Sequence, residues 1–122
     1  DPAETWLAVP RSIDADFDAE VANANEVLLD VVDPSNIWTY DVQSPAATFV
    51  ELESIVAGLV RDSNVVLVPL GPKLFAVTCL LVALIHQSDV GVWRLSAGGL
   101  RVPKNQVAAG PIACLAVTLV PA

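Results

Sequence analysis

The sharpest chemical signal in the sequence is the turn Gly71-Pro72-Lys73. It follows the apolar run Val65-Val66-Leu67-Val68 and precedes a longer one, Leu74 to Ile85. A strand that enters a helix through a glycine turn offers free N–H groups and a partial positive charge at the helix start. Gly71 lets a ligand approach the backbone, and Lys73 adds a full charge. A phosphate or carboxylate is the group such a turn favours. Lysine in a first helical turn also opposes the helix dipole unless an anion lies beside it. Neither GxxxxGK[ST] nor GxGxxG is present.

Other polar residues fall at the ends of expected strands: Arg11 and Ser12 after the first, Gln43 and Ser44 after the second, Ser96 after the fourth. Open parallel sheets bind ligands at the carboxyl ends of their strands. The expected ligand-binding set is therefore Gly71, Pro72, Lys73, Arg11, Ser12, Gln43, Ser44 and Ser96. No Ser-His-Asp order can be read, and neither Cys79 nor Cys114 has an activating neighbour. The expectation leans away from catalysis. An enzyme acting on a nucleotide or phosphorylated substrate, with Asp41 or Asp89 as acid/base, is the alternative.

Metal binding is not expected either. Asp14, Asp16 and Asp18 imitate the start of a calcium loop. Ala19 stands where that loop needs glycine, and Asn25 where it needs glutamate. Acids at a helix start are what the dipole favours in any case. The single histidine, His86, lies near a helix end. Cys79 and Cys114 lack metal-ligand spacing and read as two buried thiols in a reducing, cytoplasmic setting, with one disulfide as the other option. No cofactor is implied.

The elements that would position these groups follow from periodicity. Trp6–Val9 is a short strand closed by Pro10. From Asp14 a helix puts Phe17, Val21, Ala24, Leu28 and Val31 on one face. Asp33-Pro34-Ser35-Asn36 is a turn, and Ile37–Val42 a second strand. Ser44-Pro45 starts a helix that buries Phe49, Leu52, Ile55, Val56 and Leu59. Val65–Val68 lacks alternation, as in a strand covered on both faces. The helix from Lys73 to His86 is apolar nearly all round, which predicts packing on two sides. Val90–Ser96 is a fourth strand and Ile112–Val120 a fifth. The order predicts an α/β fold: a three-layer Rossmann-like sandwich with a mainly parallel sheet of about five strands. Trp6, Trp38 and Trp93 fall on the expected strands, as core or interface residues.

The 122 residues suit one α/β domain, and a chain opening at Asp1-Pro2 with no methionine reads as a piece of a longer protein. A hydrophobic share of 54% against 16% charged implies extensive burial or a surface hidden by a partner. The net charge of -8 is uneven. Residues 1–62 hold thirteen acids and two bases, a net of -11; residues 63–122 hold Asp89 and four bases, a net of +3. An acidic total argues against direct nucleic-acid binding. The apolar run 74–85 is about twelve residues, short of the roughly 20 a membrane span needs.

The strand, small-residue turn with lysine, and helix over residues 65–85 resemble Rossmann-like nucleotide-sensing domains of CRISPR-associated sensor proteins, with Gly71 and Lys73 as the matching positions. The resemblance implies a nucleotide-like anion as ligand. The expected function is a non-catalytic, regulatory sensor domain for such a ligand at the strand ends. The alternative from another class is a dimerisation or assembly module. Its contact, with a second copy or with a missing domain, would run through the helix 74–85.

Overall fold

The computed structural model describes residues 4–95, 107–108 and 110–121. Its contacts divide the chain into two compact units, Asp1–Ser44 and Pro45–Ala122. Each contains a parallel strand pair joined through helix.

In the first unit β1 (Leu7–Arg11) pairs in parallel with β2 (Ile37–Asp41), in a register that sets Leu7 against Ile37 and Arg11 against Asp41. Between them lie α1 (Ala15–Ala24) and α2 (Glu26–Val31). The single helix expected from Asp14 to Val31 breaks at Asn25. The Asn25 side-chain amide donates to the Val21 carbonyl at 2.8 Å, and its backbone sits at φ -116°, ψ 15°. Such a local side-chain bond competes with helix continuation. The buried stripe consequently runs through half-buried Phe17, Val21 and Leu29 to Val32, which is buried. The expected Leu28 and Val31 are exposed instead. Tyr40 of β2 is buried, and its ring packs 5.5 Å from that of Trp38.

In the second unit α3 (Pro45–Leu59) precedes β3 (Val65–Leu67), α4 (Lys73–His86) and β4 (Val90–Val92). β3 and β4 pair in parallel, Val65 against Val90 and Leu67 against Val92. The Trp93 amide extends the ladder by donating to the Leu67 carbonyl at 2.8 Å. The core joins Thr48, Leu52 and Val56 of α3 to Thr78, Cys79 and Val82 of α4, with Val90 of β4 also buried. Thr78 is fully buried, and its hydroxyl is satisfied by the Leu74 carbonyl at 2.9 Å.

These two pairs replace the expected five-strand, three-layer Rossmann-like sandwich. The described strands form two separate two-stranded parallel sheets, β1-β2 and β3-β4. Several residues explain why alternation overestimated the sheet. Pro10 lies inside β1 and gives it one residue without an N–H, which suits an edge strand. Pro69 follows β3 closely, and β3 stops at three residues. Val66 and Val68 are exposed, so the run read as covered on both faces is covered on one. The expected strand Val90–Ser96 ends at Val92, and Ser96 lies outside the described residues. The expected strand Ile112–Val120 has no regular secondary structure, and Ile112, Leu119 and Val120 are largely exposed. An apolar β-branched run becomes a strand only where a neighbour supplies the ladder.

Candidate functional site

The strand ends of the first unit are closed by their own acids. Asp14 caps α1, its Oδ1 accepting from the amides of Asp16 at 2.9 Å and Phe17 at 3.4 Å. Asp18 accepts from the Ser12 amide at 2.8 Å and lies 3.8 Å from the Arg11 guanidinium. The Ser12 hydroxyl accepts from the Asp14 amide at 3.1 Å. After β2, the Asp41 carboxylate accepts from the Gln43 amide at 2.8 Å and from the Ser44 hydroxyl at 3.4 Å. Arg11, Ser12, Gln43 and Ser44 are thus held by Asp18 and Asp41. An incoming anion would meet two carboxylates there and find the Ser12 and Gln43 amides already engaged. The tight Asp14–Asp18 loop is helix capping, the structural use of the triad that imitates a calcium loop.

The turn of the second unit is built differently. Pro72 is the N-cap residue of α4, extended at φ -56°, ψ 149°, and no side chain caps the helix. Its carbonyl accepts from the amides of Phe75 at 2.9 Å and Ala76 at 3.3 Å. Lys73 is exposed and makes no ion pair within the described residues. Gly71, Pro72 and Lys73 are contiguous in the second unit, and Arg11, Ser12, Gln43 and Ser44 belong to the first. Ser96 is outside the described residues.

At the other end of α4, His86 Nε2 lies 3.1 Å from Glu53 Oε1 of α3. Both side chains are partly covered, and the contact ties the last turn of α4 to α3. A basic group in a last helical turn complements the dipole. Cys79 is buried, and that burial pushes its thiol up from the ordinary 9.0 to about 11. It stays protonated and unreactive at neutral pH. Cys114 is exposed, in contrast to the two buried thiols expected, and both cysteines are free. Among the described residues no group of three or more His, Cys, Asp or Glu has the geometry of a metal site. No buried side-chain nitrogen or oxygen among them lacks a hydrogen bond. No described helix is long and apolar enough to cross a membrane.

The least expected feature is the outer face of α4. Thr78, Cys79 and Val82 point into the core. On the opposite side Val77, Leu80 and Leu84 are 42%, 54% and 62% exposed, and Ile85 in the last turn is 55% exposed. Positions 77, 80 and 84 follow the i, i+3, i+7 rule of a helix stripe. The sequence showed that α4 lacks a polar face; only the packing of α3 showed which residues that leaves uncovered. Val66, Val68 and Leu70 around β3, and Trp93 and Leu95 after β4, add further exposed apolar surface in the same unit.

No protein-family model, curated protein or solved structure matches the chain. The resemblance over residues 65–85 to nucleotide-sensing domains rests on Gly71 and Lys73 alone.

Proposed function

We propose that this chain is an assembly module, and that the apolar outer face of α4 is the surface it uses. One observation carries the reading: Val77, Leu80 and Leu84 form an exposed stripe opposite the buried face of the same helix. Single exposed apolar residues are ordinary, but contiguous apolar patches mark contact surfaces. The cost of leaving such a stripe in water is removed when a partner covers it. Leu80→Glu and Leu84→Glu should each abolish association of the chain in light-scattering measurements, with an unchanged far-UV circular dichroism spectrum. Association that survives both changes would refute the reading.

A second reading has one observation in its favour. Lys73 stands exposed at the start of a helix that no side chain caps. Such a turn suits a small anion, including a nucleotide-like one. Against it stands the first unit, where Asp18 and Asp41 occupy the other expected ligand residues. Titration calorimetry with a nucleotide panel, repeated with Lys73→Ala, tests it. An affinity unchanged by that substitution would remove Lys73 from any site found.

A further inference from the structure

We infer that the partner on α4 is a second copy of this chain, and that the two α4 helices cross antiparallel about a twofold axis between Leu80 and Leu81. The inference rests on the assembly reading and adds to it the partner and the orientation.

Antiparallel crossing makes the stripe self-complementary. An axis between Leu80 and Leu81 sets Val77 of one copy against Leu84 of the other, and Leu80 against Leu81. Leu81 is half-buried beside the exposed Val77, Leu80 and Leu84. An apolar residue therefore meets an apolar residue along the seam, the isologous arrangement of a twofold dimer.

The charges at the ends of α4 agree with this direction. Lys73 stands exposed at the N-terminal end without an ion pair among the described residues, where its own helix dipole disfavours it. At the C-terminal end the turn Gln87–Asp89 carries Asp89, exposed and the single acid in residues 63–122. Glu53, partly exposed beside His86, adds a second carboxylate at that end. Antiparallel crossing brings each Lys73 opposite the partner's Gln87–Asp89 turn and the free carbonyls of its helix end. Both the carboxylates and the dipole favour a cation there. Parallel crossing would set lysine against lysine, acid against acid and dipole alongside dipole. Between these ends, Leu74 to Ile85 contains no charged residue to oppose close approach.

Light scattering and cross-linking separate the inference from the reading beneath it. The whole chain carrying Cys114→Ser, which removes the exposed thiol, should have a dimer mass that Leu80→Glu reduces to a monomer. In that background, Val77→Cys chains mixed with Leu84→Cys chains should form an intermolecular disulfide under mild oxidation. Neither variant should cross-link by itself. Lys73→Glu or Asp89→Lys should each weaken dimerisation about tenfold, and the two together should restore most of it. Cross-linking of Val77→Cys with itself would overturn the antiparallel orientation and leave assembly through α4 standing. A chain monomeric at high concentration would overturn the second copy as partner and leave assembly with another partner standing. A dimer unaffected by Leu80→Glu would overturn inference and reading alike.

Discussion

The two units use the same device, a parallel strand pair with helix between, yet finish it in opposite ways. In the first, the turn after β1 is closed by Asp14 and Asp18, and α1 shows acids to water. The turn before β2, Pro34–Asn36, is capped by Asp33. In the second, the turn after β3 leads into α4 without a side-chain cap, and α4 shows leucine and valine to water. Its turn before β4, Gln87–Asp89, also lacks a side-chain cap. The first unit closes its turns with its own acids, although Val27, Leu28 and Val31 of α2 stay exposed. The second leaves an apolar face and an opposed charge that a neighbour would resolve.

The largest effect expected separates the two faces of α4. Val82 has no exposed surface, and Val82→Asp would bury a carboxylate without a partner. The expected loss is about 4 kcal/mol in urea unfolding. Leu84→Asp, on the outer face of the same helix, should change monomer stability by no more than about 0.5 kcal/mol. Equal losses at the two positions would break the division between a packed and an unfinished face.

Next come the turns. Gln87 takes φ 43°, ψ -104°, on the side of conformational space where a β-carbon is crowded. Gln87→Gly should raise stability by about 1–2 kcal/mol, read from the same urea curves. In the first unit the capping is already favourable, so Asp14→Ala should lower stability by about 1 kcal/mol. Opposite signs at the two turns are the expected result. A loss at Gln87→Gly would show that the second turn is as well fitted as the first.

Much of this was legible from residue types, because local rules decide it. Asp14 before an amphipathic run, Ser44-Pro45 before α3, and Asp33-Pro34 before β2 each announce a boundary that the backbone enforces. Strand pairing depends on neighbours distant in sequence, and there the reading failed. Val65–Val68 and Ile112–Val120 have equally good β composition, yet one pairs with β4 and the other has no ladder. The ligand set failed similarly in its first half. Arg11 and Ser12 were visible as strand-end polar groups, but their ties to Asp18, seven and six residues on, were not. The outer face of α4 was half legible: composition shows a helix without a polar side, and only tertiary packing selects Val77, Leu80 and Leu84 as the exposed part.

The smallest expected effect tests the capped turn of the first unit through pH. The Ser35 hydroxyl donates to Asp33 at 2.7 Å and the Ser35 amide at 2.9 Å, and together they hold its carboxyl below the ordinary 3.8. Both bonds favour the charged form. A carboxyl with a depressed folded value contributes stability that is complete above its unfolded value, 3.8, and is lost as pH falls through the folded one. Wild-type stability should therefore decline from about pH 4 downward more steeply than that of Asp33→Ala, in urea melts taken at successive pH values. The group is fully exposed, so the difference should be the least of the four. No side chain caps the Gln87–Asp89 turn. Superimposable curves for wild type and Asp33→Ala would mean that the cap, though formed, does not distinguish the two turns energetically.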